Sequence, residues 1–349
     1  EMAPSILVEQ QSVVETAQLD PNGPMFCADI ASAVLSSPSL LSKDTLFALA
    51  DKIAEIDPES CEPGDEDSFF IADLAKISAS LKLWKEQLPM VQPFYAVKCN
   101  PNVEVLKLLA KQGCNFDCAL KTEIETVLNL GVDPLRIIYA NPCKTASYIR
   151  SAKNLKVNLT TVDNGNELHK LSRFYPEVGI LIRIATDDES AQCRLLTKFG
   201  CTISTALNEL LPLAKELNLN VRGVAFHVGL GATEFLLIFK AISDLKVVFE
   251  RAKLLGFENL DVLDIGGGFQ QSSFKEASQV VRKLLDQFFF NEISCGEVTV
   301  IAEPGRFMVA DAFALATHVI GRRESVDLDI PPMLYINDGV YGNMNCILF

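Results

Sequence analysis

Short apolar runs recur along the chain from Pro93 onward, at residues 94–98, 116–119, 137–140, 159–162, 180–185, 223–228, 262–265 and 298–302. The first five begin about 22 residues apart, enough for one strand, one short helix and two loops. Between them, residues 103–111, 123–130 and 207–217 carry apolar side chains at helical spacing with Lys or Glu interposed, the pattern of helices with one buried face. Strict alternation of strand and helix predicts an α/β protein with a parallel sheet and helices outside it. Eight such units suggest a closed (β/α)8 TIM-type barrel, although an open doubly wound sheet gives the same local pattern.

The chain before this pattern reads differently. Residues 25–41 are mildly apolar, but Asp29 interrupts them and serines and prolines break them, so they make a poor signal peptide and a worse membrane span. Residues 57–67 are acidic and contain Pro58, Pro63 and Gly64, which predicts a mobile linker or exposed loop, with structure resuming at Phe69. The first methionine is Met2, after Glu1, and suggests a fragment. With 45 acidic against 31 basic residues the formal charge is −14, which repels nucleic-acid phosphates and anionic lipid and argues against both as partners. Ten cysteines without a Cys-x-x-Cys pair suit reduced thiols in a cytosolic-type compartment, with neither disulfides nor a metal site.

In a barrel the chemistry sits at the C-terminal ends of the strands. Those ends carry Lys98, Asp117, Asn141, Asp163, Arg183, His227, the triplet Gly266-Gly267-Gly268, and Glu303 with Arg306. Taken alone, Lys98 reads as an exposed strand terminus and His227 as a satisfied core residue. Three successive glycines let a backbone approach an anion closely and present N–H groups to it, and Arg306 makes a phosphate the natural choice. An amine, a phosphate cradle, a carboxylate and an imidazole on one face suit pyridoxal 5'-phosphate. They equally suit a phosphosugar enzyme that uses Lys98 to capture a carbonyl.

Longer words in the sequence bear on that choice. Pro93-Phe-Tyr-Ala-Val-Lys98-Cys-Asn100, Phe116-Asp-Cys-Ala119, Ile138-Tyr-Ala-Asn-Pro-Cys-Lys144, His227-Val-Gly229, Leu263-Asp-Ile-Gly-Gly-Gly-Phe269, Glu303-Pro-Gly-Arg306 and Asn337-Asp-Gly-Val-Tyr-Gly342 resemble the eukaryotic ornithine decarboxylases, of the alanine-racemase-like fold type. The likeness runs from about Phe69 to the end of the chain. Residues 157–161 and 167–170 look closest to plant members. The resemblance implies an N-terminal extension over 1–68 that is partly disordered and a cofactor-binding barrel over 69–310. Residues 69–90 would contribute to a C-terminal β-domain, whose incomplete start lies at 311–349.

By the same resemblance Lys98 would condense with the cofactor aldehyde, Glu303 would face the pyridine nitrogen, and His227 would stack on the ring. Gly266, Gly267, Gly268 and Arg306 would take the phosphate, with Asp117 and Arg194 in the surrounding network. Asn337 and Asp338 would serve the substrate, Asp338 facing its distal amine together with an acid from a second subunit. The implied activity is decarboxylation of L-ornithine to putrescine by a cytoplasmic homodimer with shared active sites, a plastid location staying open. A lysine/ornithine decarboxylase and a non-catalytic, antizyme-inhibitor-like homologue are the alternatives, and an antizyme-type regulator is an implied partner.

Three departures from the family pattern stand out. A Gly-Pro-Thr-Cys-Asp-type segment, whose cysteine supplies the final proton in the family, does not occur before Phe349, and Cys346 sits in the wrong context to replace it. Normal turnover is therefore not expected of these residues by themselves. Leu230 stands where a serine hydroxyl usually meets the phosphate, and Leu120 replaces a small polar residue before Lys121.

Overall fold

The structure is a computed structural model that describes residues 42–57, 59–186, 199–228, 235–324 and 332–345. Expectations for residues 25–41, Arg194, Leu230 and Cys346 lie outside the described residues. The described chain divides into two compact units, one within Ile77–Val309 and one within Glu1–Lys76 and Ala310–Phe349.

In the smaller unit, β1 (Phe69–Ala72) pairs antiparallel with the strand Phe313–Ala316, and Val319–Arg323 pairs antiparallel with Met333–Ile336. A helix over Lys43–Ala54 precedes them, so ordered structure begins earlier than Phe69. Its signals are local: Ser42 Oγ accepts from Thr45 N at 3.2 Å, Asp44 occupies the first turn and Lys52 the last. Residues 59–67 form exposed turns.

The larger unit is the predicted barrel. Its eight parallel strands are β2 (Val91–Ala96), β3 (Asn115–Cys118), β4 (Ile137–Tyr139), β5 (Leu159–Val162), β6 (Gly179–Ile184), β7 (Asn220–Phe226), β8 (Val262–Asp264) and β9 (Thr299–Ala302). They pair in chain order and β9 closes on β2, which excludes the open doubly wound sheet. Helices follow the strands, among them Val103–Lys111, Lys121–Asn129, Phe235–Leu254 and Phe274–Ser294. Inside the barrel, Phe94, Ile138, Ala140, Leu159, Leu181, Ala225, Val262 and Ile301 form an apolar layer. Among the described residues no helix is long and apolar enough to cross a membrane.

Leu120 occupies the N-cap of the helix Lys121–Asn129 with extended backbone and 48% exposure, and it has no side-chain acceptor to offer. Glu123 compensates in part: its Oε2 accepts from Ala119 N at 2.6 Å and Leu120 N at 3.2 Å. Replacing Leu120 by serine adds an N-cap acceptor and should raise stability by about 1 kcal/mol in denaturant unfolding. An unchanged midpoint would show that Glu123 already satisfies this helix end.

Candidate active site

Strand geometry converts the apolar layer into a chemical one. Side chains alternate between faces, so a residue two positions beyond an inward one also points inward. Two residues beyond Leu159, Leu181, Val262 and Ile301 stand Thr161, Arg183, Asp264 and Glu303, all buried. Asp117 joins them from β3, aligned with Ala96 and Ile138 of its neighbours. Asp117, Arg183, Asp264 and Glu303 lie within electrostatic reach of one another, towards the strand ends where barrel chemistry is found.

Lys98 lies within reach of the same charges. Strand β2 ends at Ala96, and residues Val97–Cys99 form a single 3-10 turn that turns Lys98 over the rim. Its Nζ donates to Asp117 Oδ2 at 2.8 Å; the lysine side chain is 48% exposed and the aspartate fully buried. Burial disfavours the ammonium, yet the charges of Asp117 and Glu303 more than offset this and raise its pKa. The other oxygen, Asp117 Oδ1, is buried without a hydrogen-bond partner, an uncommon and costly arrangement for a carboxylate.

Asp264 and Glu303 hydrogen-bond to one another and are both buried. Gly266 binds both: its N–H donates to Asp264 Oδ1 at 2.8 Å, and its carbonyl accepts from Glu303 N at 2.7 Å. Burial, with Asp117 adding, pushes Asp264 up to about 7; burial and then the charge of Asp264 push Glu303 well above the ordinary carboxylate range. At neutral pH the pair thus retains a proton. Such raised values mean that the folded chain keeps protons which the unfolded chain loses from about pH 4 upward, so this stabilisation is lost as pH rises towards 7. In Asp264→Asn, unfolding free energy relative to the parent should increase across that window by up to about 1.4 kcal/mol per pH unit. Denaturant melts of the cofactor-free protein test this, and a pH-independent difference would contradict the shared proton.

His227 follows β7, and its Nδ1 donates to Val228 O at 2.7 Å. Burial, then the charges of Arg183 and Lys98, push its pKa down to about 3, so the ring is neutral at physiological pH. The glycine triplet fits closely around it. Gly266 adopts φ +65° and a Cβ there would fall 2.2 Å from Phe226 O; a Cβ on Gly267 would fall 2.8 Å from His227 Nε2. Gly268 is also left-handed, at φ +97°. Arg306 opens the short helix Arg306–Val309 after β9, and its charge reaches Cys99 beside Lys98.

Other strand-end residues do different work. Asn141 donates to Ala119 O at 3.1 Å and accepts from Cys143 N at 3.1 Å, which fixes a turn. Asp163 Oδ2 accepts from Gly200 N at 2.9 Å. In the smaller unit Asn337 is held by its own surroundings, donating to Glu66 O at 2.6 Å and accepting from His318 N at 2.8 Å. Asp338 accepts from Ser68 Oγ at 2.8 Å, Gly339 N at 2.7 Å and Asn343 N at 2.9 Å. Hydrogen bonds from Asn343 and Ser68 push its carboxyl down to about 2, so it is ionised. Asp264 is a buried group of the site that the strand ends in the sequence do not single out. Among the described residues no cluster of three or more His, Cys, Asp or Glu could hold a metal ion.

This region coincides with a known family. The description "Pyridoxal-dependent decarboxylase, pyridoxal binding domain" matches residues 74–310. The chain belongs to this family. Ornithine decarboxylase of Candida albicans is 54% identical over 86% of this chain and 66% of its own length, so the chain spans just under two thirds of that relative. Antizyme inhibitor 2 of Xenopus laevis is 44% identical over 87% of this chain and 68% of its own length. Among solved structures, the Paramecium bursaria Chlorella virus arginine decarboxylase bound to agmatine superposes with a TM-score of 0.79 at 32% identity, covering 86% of this chain and 79% of that one. The residues present fit the family's cofactor: a half-exposed amine, a buried carboxylate with a spare acceptor, a proton-bearing acid pair, and a glycine turn packed too closely against Phe226 and His227 to admit a Cβ.

Proposed function

We propose that this chain carries the cofactor-binding part of an ornithine decarboxylase, which converts L-ornithine to putrescine and carbon dioxide. The observation that carries the proposal is the convergence of Lys98, Asp117, Asp264 and Glu303 at the strand ends of the barrel, with the glycine turn and a neutral His227 beside them. Bound pyridoxal 5'-phosphate supplies an aldehyde for amine capture and an acceptor for the charge left at Cα when carbon dioxide departs.

The protein's part follows from its own groups. Lys98 Nζ is the amine, and Asp117 Oδ2 accepts a hydrogen bond from it at 2.8 Å, which fixes its position at the strand end. The Asp264–Glu303 pair holds a proton inside the barrel, so Glu303 can present it to a heteroaromatic nitrogen and keep that nitrogen charged. The N–H groups of Gly267 and Gly268 and the Arg306 guanidinium bind phosphate, while the Gly266 N–H is held by Asp264 Oδ1. His227 offers the flat face of an uncharged imidazole, pinned through Nδ1, for the ring to rest on. Arg194 is assigned to the surrounding network, and Asn337 with Asp338 to the substrate, Asp338 as the carboxylate for its distal amine. The resemblance to the family further supports a cytoplasmic homodimer with shared sites and an antizyme-type regulator.

Ornithine and lysine differ by one methylene, which a pocket distinguishes by only about 1–3 kcal/mol. Carbon dioxide release from both amino acids by the whole protein tests the substrate, and the expected result is a higher kcat/KM for ornithine. Equal or greater efficiency with lysine would reassign the substrate. A cofactor-loaded protein that releases carbon dioxide from neither would favour the non-catalytic alternative.

A further inference from the structure

The two backbone segments assigned to phosphate share a support. Phe269, next after the glycine triplet, meets Trp84 edge-on with ring centroids 4.9 Å apart. Phe307, next after Arg306, meets the same indole edge-on at 5.4 Å. Phe274 stacks on Trp84 at 5.2 Å and lies 4.2 Å from Phe307. Trp84, Phe274 and Phe307 are buried, and the indole N–H donates to Val91 O at 2.9 Å, at the start of β2. A polar tie runs alongside: Gln271 Nε2 donates to Phe307 O at 2.8 Å and to Ser80 Oγ at 2.7 Å.

A glycine turn cannot lock itself. Gly266 and Gly268 have no side chains to pack, and their left-handed conformations leave the unbound turn many alternatives. A cradle made from two chain segments binds an anion well only if both are held in register beforehand, because ordering them on binding costs affinity. Interlocked rings at residues 269 and 307 are each one residue from a phosphate-facing group, and edge-to-face packing at these separations fixes orientation as well as distance.

We propose that the Trp84–Phe269–Phe307 cluster, with Gln271, is a positioning device that holds Gly266–Gly268 and Arg306 in register and thereby sets the affinity for the phosphate group of the cofactor. The proposal rests on the assignment of these segments to a phosphate. Its distinguishing consequence is selectivity: the device acts on the phosphate and leaves capture of the aldehyde at Lys98 alone.

The test compares Kd for pyridoxal 5'-phosphate and for pyridoxal, which lacks the phosphate. Trp84 is the only tryptophan in the chain, and its emission reports binding of either ligand in variants that retain it. In Phe269→Ala and Gln271→Leu the Kd for pyridoxal 5'-phosphate should rise about tenfold while that for pyridoxal stays within about twofold. Phe269→Tyr, which keeps the ring, should preserve the parent ratio. Gln271 is half-buried, so its replacement carries the test even if Phe269→Ala fails to fold. An unchanged ratio in Gln271→Leu, or parallel weakening of both ligands, would overturn the proposal. A parent protein with no preference for the phosphorylated ligand would overturn the phosphate assignment itself, and this proposal with it.

Discussion

Lys98→Ala should lose the visible absorbance of bound cofactor at saturating pyridoxal 5'-phosphate, and ornithine decarboxylation by the whole protein should fall by about 10²–10⁴-fold. The choice of lysine is not trivial. Judged by acidity alone the better nucleophile is Lys144, whose pKa is pushed down to about 8, chiefly by burial, while Asp117 and Glu303 keep Lys98 protonated. Access reverses that order. Lys144 has a side chain only 1% exposed and donates to Asn141 O at 2.8 Å and Thr161 O at 2.9 Å, so no carbonyl can approach it. Lys98 stands at the strand end with its side chain 48% exposed, open to an incoming carbonyl. Lys98→Arg should fail as completely as alanine, because a guanidinium keeps its charge and is no nucleophile. Retained absorbance in Lys98→Ala would mean that another amine captures the cofactor.

Glu303→Ala should lower kcat/KM by about 10²–10³-fold while cofactor still binds, since it removes a preorganised group that acts on charge developing in the transition state. The informative comparison is Glu303→Gln. Glutamine keeps the shape and can still donate a hydrogen bond, but it cannot give up a proton to a ring nitrogen. If proton supply is what matters, the two variants should be about equally impaired in steady-state assays with ornithine. Recovery of most activity by glutamine would reduce Glu303 to a hydrogen-bonding prop and would leave the proton held with Asp264 without a catalytic use.

The barrel was legible because its strands are short apolar runs at even spacing, and strand β5 falls at residues 159–162 as read. Ends were less legible. Pro93 looks like a breaker, but it aligns with Ala302 of β9, so β2 starts at Val91, and the 3-10 turn then takes Lys98 out of the strand. Thr202 caps a helical segment that starts at Ile203, four residues before the apolar spacing becomes evident at 207, and a π-turn at Ala206–Leu210 shifts that spacing. Asp264 was hidden for a physical reason. A barrel strand is buried on both faces, so its sequence shows no alternation to reveal which way one carboxylate points. Lys98, Asp117, His227, Gly266–Gly268, Glu303 and Arg306 were accessible from sequence because each sits at the end of an apolar run. Their mutual electrostatics, above all the shared proton, needed the distances.

Borohydride reduction of the cofactor-loaded chain followed by peptide mapping tests the central claim most directly. The account predicts a single stable pyridoxyl adduct on the peptide that contains Lys98, absent from Lys98→Ala. An adduct on Lys144 or any other lysine, or none at saturating cofactor, would contradict it.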